Sequence, residues 1–147
     1  MLLIGILAGL RSLTPPAGVA WAAHAGWLKL PGALAWIGST LAVVIFGVLA
    51  LLELVADKLP MTPARTAPPP LIARCMTGGF TGACLAAACG GRVVVGVVLG
   101  LVGGLAGSFG GYQARRRLAA ALGSPFVAAV LEDVVTILGT LWVVSRF

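Results

Sequence analysis

Four carboxylates are the residues of this sequence whose type and position suggest chemistry. The acidic residues of the 147-residue chain are Glu53, Asp57, Glu132 and Asp133, and each lies within or at the edge of an apolar stretch. An ionised side chain at membrane depth costs about 2.5–3.5 kcal/mol on insertion scales, so such residues usually face the protein interior and serve a function. The four acids therefore predict a polar site inside a membrane protein.

The spacing of these acids predicts that they converge on one pocket. Glu53 and Asp57 are four residues apart and share one face of a helix. Glu53 and Glu132 each lie about six residues from the same predicted boundary, roughly 9–10 Å deep at 1.5 Å per residue. Arg11 and Lys58 are the nearest basic candidates. The predicted ion- or substrate-binding residues are Glu53, Asp57, Glu132, Asp133, Arg11 and Lys58.

Two main interpretations of these acids are open from the sequence. In the first, the protein is a small transporter or channel subunit that handles a cation or proton, with the acids on the path. In the second, it is a non-transporting structural or lipid-contacting protein whose acids are ion-paired with Arg11, Arg74 or Lys58. A catalytic acid pair is a third. The deciding observation is whether Glu53 and Glu132 face a hydrated cavity or a basic partner.

Catalytic motifs are absent from the sequence. There is no Gly-x-Ser-x-Gly element, no metal-ligand histidine pair and no phosphate-binding loop. Ser12 and Thr14 have no evident base beside them in the sequence. We therefore expect a protein that is not an enzyme and has no cofactor, and the pattern names no particular metal ion.

Composition places the whole chain in a membrane. Hydrophobic residues make up 60% of it and charged residues 10%, whereas a soluble domain carries roughly 25% charged residues. The net charge of +6 does not indicate nucleic-acid binding, because no basic face is interleaved with aromatic residues. We expect residues 1–147 to form a single integral membrane domain in contact with lipid, as in the bacterial cytoplasmic membrane.

The apolar runs predict an all-α bundle of about five membrane segments. A helix that crosses the hydrocarbon core needs about 20 apolar residues, and the candidates are residues 1–27, 34–59, 71–88, 93–113 and 126–144. The first is interrupted by Arg11 and by Pro15-Pro16, so it is either one kinked span or two half-helices that re-enter. A Pro-rich connector, residues 60–70, follows the second.

Basic residues predict the orientation, because lysine and arginine are retained on the cytoplasmic side. Five crossings put the N-terminus inside and Phe147 outside. The side predicted to be cytoplasmic then carries Lys58, Arg65, Arg115, Arg116 and Arg117. The opposite side carries Lys29, Arg92 and Arg146.

Glycines at four-residue steps predict close helix contacts. The steps run through Gly96, Gly100 and Gly104, through Gly103, Gly107 and Gly111, and through Gly78 and Gly82. Small residues at this spacing let helix backbones approach closely in lipid, within one chain or between chains. Because a bundle of this size has little interior in which to enclose a path, we expect a homo-oligomer.

Three motifs resemble the domain-of-unknown-function family 4126 of small membrane proteins. They are Gly9-Leu10-Arg11-Ser12 with Pro15-Pro16, the run from Glu53 to Pro60 (ELVADKLP), and Leu131-Glu132-Asp133. Their order and placement are similar to the family pattern over nearly the whole chain. The resemblance implies the same membrane architecture and points to the same acids, but it implies no activity.

Overall fold

The computed structural model describes residues 1–57 and 67–147. The described chain is helical and contains no strand, which confirms the all-α prediction. Its elements are α1 (Leu2–Leu10), α2 (Thr14–His24), a 3₁₀ helix (Gly32–Gly38), α3 (Thr40–Ala56), α4 (Pro68–Ala88), α5 (Val93–Leu122) and α6 (Pro125–Val144).

The number of membrane spans is lower than the predicted five. Among the described residues, α4, α5 and α6 are each long and apolar enough to cross a membrane. The 3₁₀ helix and α3 make a fourth span if they are counted together, with a bend of 64° between them. The remaining segment divides into α1, with 9 residues, and α2, with 11. At 1.5 Å per residue, neither reaches across a core about 30 Å thick.

The first segment forms two half-helices that turn back on themselves. Leu7 of α1 packs against Gly139 of α6, Arg11 reaches Asp133, and Gly18 of α2 packs against Thr140. Along α1 the contacts on α6 therefore move back by six residues, from Gly139 to Asp133. Along α2 they move forward again by seven residues, from Asp133 to Thr140. The break lies at residues 11–13, just before the two prolines. Those prolines occupy the first turn of α2, where a missing N–H costs no hydrogen bond.

Backbone contacts through glycine hold α1, α4 and α5 together. A Cβ on Gly100 would collide with the backbone of Gly78 in α4, and a Cβ on Gly9 would collide with Gly104 and Gly107 in α5. The glycine steps are therefore used for close packing within this chain. The homo-oligomer, which those steps suggested, stays a prediction.

An apolar cluster closes one end of the bundle. Its members are Ile4, Leu7, Val19, Ala20, Ala22, Leu28, Ile37, Cys84, Leu85, Val143 and Val144. Met1 packs on the same cluster, so both ends of the described chain lie at this apolar end. This arrangement does not favour the predicted placement of the N-terminus and Phe147 on opposite sides of the membrane, because α1 and α2 together start and finish at the same end of the bundle. The side of each end stays a prediction. We call the other end, which holds residues 11–13, the break end.

Candidate functional site

Arg11 lies at the centre of a cluster of charges at the break end. It follows the last residue of α1 in an extended conformation, and its side chain is completely buried. One terminal nitrogen, Nη1, donates to Asp57 Oδ2 at 2.6 Å, and the other, Nη2, donates to Asp133 Oδ1. Asp57 comes directly after α3, and Asp133 lies in the third turn of α6. The guanidinium therefore ties three separate parts of the chain to one point.

Glu53 binds the chain at the break itself. Its Oε1 accepts hydrogen bonds from the Ser12 amide at 2.8 Å and the Ser12 hydroxyl at 2.5 Å, and its Oε2 accepts one from the Leu13 amide at 2.8 Å. These amides stand at the start of α2, where a helix has unpaired N–H groups and a partial positive charge. The Glu53 carboxylate therefore caps α2 from a different helix. We call Arg11, Ser12, Glu53, Asp57 and Asp133 the Arg11 cluster.

Glu132 points away from this cluster. Adjacent residues of a helix project about 100° apart, so Glu132 and Asp133 point in different directions. The Glu132 Oε2 atom lies 3.7 Å from Arg115 Nη1 of α5. The two side chains border a groove of about 170 Å³ between α1, α5 and α6. The structure thus brings together Arg11, Glu53, Asp57 and Asp133, and it puts Glu132 beside a different arginine.

The other basic residues considered from the sequence are Lys58 and Arg74. Lys58, predicted to be a site residue, lies outside the described residues. Arg74 is buried in α4, where its backbone faces Gly104 of α5. Within residues 1–57 and 67–147, no group of three or more histidine, cysteine or acidic side chains is placed to hold a metal ion.

The electrostatics of the Arg11 cluster make it sensitive to any change of charge. Removing one partner of a buried ion pair is strongly destabilising, because the other charge stays buried without compensation. Two carboxylates that share one guanidinium also repel each other if that cation moves. The carboxylates can therefore hold a proton or a small cation only when the Arg11 guanidinium moves off them.

Sequence reasoning missed the partners of Glu53 and a row of buried hydroxyls. Ser12 had seemed to lack a catalytic base, but it donates to Glu53 with both its amide and its hydroxyl. Thr136 and Thr140 are buried on α6, three and seven residues after Asp133. That spacing puts them on the same face as Asp133, so the polar stripe could have been found from the sequence.

Comparison with known proteins adds the family. The chain matches the family model described as "Domain of unknown function (DUF4126)" over residues 1–145. This confirms the resemblance drawn from the sequence motifs. No curated protein and no solved structure matches the chain.

Proposed function

The chain belongs to the DUF4126 family, for which no function is known, and we propose that it is a small membrane transport protein that handles a proton or cation at the Arg11 cluster. The observation that carries this proposal is the meeting of three carboxylates, two from the C-terminal end of α3 and the residue after it and one from α6, at a break between two half-helices. Discontinuous helices with charged groups at their broken ends form the binding sites of many transporters.

The proposed mechanism is a competition for the carboxylates. A proton or cation that binds Asp57 or Asp133 displaces the guanidinium from that oxygen. A proton that binds Glu53 weakens its hold on the Ser12 and Leu13 amides, so the start of α2 loosens. Because α2 packs against the apolar cluster through Val19, a change at the break reaches the opposite end of the bundle.

Ion pairs support a second candidate, a protein whose acids are purely structural. Arg11 bridges Asp57 and Asp133, and Arg115 lies beside Glu132. The sequence left open whether Glu53 and Glu132 face a hydrated cavity or a basic partner. Glu132 faces a basic partner, whereas Glu53 faces backbone amides and a hydroxyl. The geometry therefore divides between the two interpretations, and flux measurements must separate them.

The test is flux through the purified protein in proteoliposomes, with protons, Na⁺, K⁺ and Mg²⁺ compared under an imposed potential. We expect at least one of these ions to pass, and Glu53→Gln and Asp57→Asn to abolish its flux. Arg116→Gln, which removes an exposed charge from α5, serves as the control and should leave flux unchanged.

Two results would contradict the proposal. The first is a parent protein that passes none of the four ions, although it is folded and inserted. The second is a parent that passes an ion at the same rate as Glu53→Gln and Asp57→Asn. If those variants only lower stability, the structural interpretation holds.

A further inference from the structure

Buried polar residues line the seam between α2 and α6. The seam is fixed at two points, the Arg11–Asp133 ion pair and the contact between Gly18 and the Thr140 side chain. Thr14 lies four residues before Gly18, and Thr136 four residues before Thr140. Because α2 and α6 run in the same direction here, the two threonines occupy the turn between the fixed points. We call the whole row the polar seam, and its members are Arg11, Thr14, Asp133, Thr136 and Thr140.

Several polar atoms of the polar seam are buried and have no hydrogen-bond partner among the described residues. They are Thr14 Oγ1, Thr140 Oγ1 and Arg11 Nε. Thr14 is 8% exposed, Thr140 1% and Arg11 0%. Buried polar atoms in native proteins almost always bond to protein or to ordered water, and such water stands where several polar groups face one another. Internal water in the polar seam would satisfy these atoms.

Thr136 differs from its neighbours, since its hydroxyl donates to the Glu132 carbonyl at 2.8 Å within α6. A hydroxyl that donates one hydrogen bond can still accept others through its lone pairs. The seam therefore offers a carboxylate and two hydroxyls over seven residues of α6, about 10 Å at 1.5 Å per residue, and a third hydroxyl, that of Thr14, from α2. It ends below Val143 and Val144 of the apolar cluster.

We propose that the polar seam is a hydrated proton path that leads from Asp133 to Thr140, and that the apolar cluster closes its far side until α2, which packs on that cluster through Val19, shifts and lets the proton leave. This inference rests on the proposed function and specifies its substrate as the proton. A hydroxyl or water accepts a proton on one side and releases one on the other, so the charge advances while each oxygen ends as it began. The Asp133 carboxylate takes up the proton at one end and gives it back.

The same residues argue against a metal cation in the polar seam. Ca²⁺ takes six to eight oxygen ligands, and Mg²⁺ needs a near-ideal octahedron. Within the described chain, the seam supplies one carboxylate and a single row of hydroxyls, spaced one helical turn apart. Neighbouring positions one turn apart are about 5–6 Å apart, a distance that one water molecule spans with a hydrogen bond to each side.

The test removes hydroxyls without changing shape. Thr14→Val and Thr140→Val should each slow proton flux into pyranine-loaded proteoliposomes roughly tenfold, the factor expected when one hydrogen-bonded link is lost. Thr81→Val is the matched control, because Thr81 is also fully buried but bonds to its own helix in α4, away from the seam. Its flux should stay within about twofold of the parent.

A second pair of variants keeps the test valid if a valine variant fails to fold. Thr140→Ser keeps the hydroxyl and Thr140→Ala removes it, and both lose the methyl group that contacts Gly18. We expect the serine variant to conduct protons and the alanine variant to be slow. Equal rates in this pair, or parental rates in the valine variants, overturn the polar seam but leave the transport function standing. A parent that passes no ion overturns the proposed function, and this inference with it.

Discussion

Two halves of this bundle are held together by different means. In α1, α4 and α5 the helices touch through their backbones, with glycine at each close approach. In α2, α3 and α6 the contacts at the break end are made by charged and hydroxylated side chains, with Arg11 and Glu53 at their centre. Backbone contacts do not depend on protonation, whereas ion pairs do. The first half is therefore suited to be a scaffold and the second to be the part that responds.

The break at residues 11–13 is where the chain passes from one half to the other. Helix α1 belongs to the glycine-packed half, and α2 to the half that carries the polar seam. The Arg11 cluster thus stands at the boundary between the glycine-packed half and the half joined by polar side chains. This explains why the same short segment carries a buried cation and receives a helix cap from a distant glutamate.

The largest expected effect is an all-or-none result on the topology of the hairpin formed by α1 and α2. Single cysteines at Leu2, Ser124 and Ser145, in a background without the native cysteines, can be labelled with an impermeant maleimide in sealed vesicles. We expect Leu2→Cys and Ser145→Cys to react from the same side. Ser124→Cys, next to the arginine-rich end of α5, should react from the other side, which the positive-inside rule assigns to the cytoplasm.

A reaction of Leu2→Cys from the side of Ser124→Cys would contradict this hairpin. The first segment would then cross the membrane, as one of its two predicted forms requires. Residues 11–13 would then no longer separate the two halves, because α1 and α2 would form a single membrane span.

Arg11→Gln should have the largest effect on stability. It takes the shared cation away from Asp57 and Asp133, and breaking a buried ion pair costs about 3–5 kcal/mol. The free energy of unfolding in detergent measures this loss, and exposed Arg116→Gln is the control, expected within about 0.5 kcal/mol of the parent. Adding Asp133→Asn to Arg11→Gln should restore part of the loss, because it removes one of two repelling charges. Equal stabilities of the two single variants would show that Arg11 does not hold the halves together.

Gly100→Ala should destabilise the scaffold by a smaller amount. The added Cβ would meet the Gly78 backbone of α4, which cannot rotate away, and overpacking of this kind costs about 1–3 kcal/mol. Gly110→Ala in the same helix meets nothing within 4 Å and should be neutral or slightly stabilising, since alanine is the better helix former. Unfolding in detergent compares the two, and similar values would mean that the backbone contact does not limit stability.

Hydropathy and spacing predicted much of this fold, but not the course of the first segment. The lipid-exposed faces of α4, α5 and α6 make their spans visible as long apolar runs. Residues 1–27 are apolar whether they cross once or turn back, so hydropathy cannot separate the two forms. The turn depends on Arg11 finding Asp133, which is a contact between residues 122 positions apart. Glycine spacing likewise predicted a close contact but not whether its partner lay in the same chain.

The candidate site shows the same division between local and distant information. The shared face of Glu53 and Asp57 follows from helical spacing, and both reach the same segment, residues 11–13. Depth, however, cannot choose between Glu132 and Asp133, because adjacent residues lie at nearly the same depth and differ in direction. The sequence favoured Glu132, and the structure places Asp133 on Arg11.

Glu132→Gln should have the smallest effect, and it decides which of these adjacent acids matters. The Glu132–Arg115 pair is 3.7 Å apart, with the Arg115 side chain 25% exposed and the Glu132 side chain 9% exposed. The pair is long and its arginine reaches solvent, so the free energy of unfolding should fall by about 1 kcal/mol. Ion flux should stay within about twofold of the parent, whereas Asp133→Asn, one residue away, should abolish it. Lost flux in Glu132→Gln with parental flux in Asp133→Asn would move the site to the groove beside α5, and the Arg11 cluster would then belong to the scaffold.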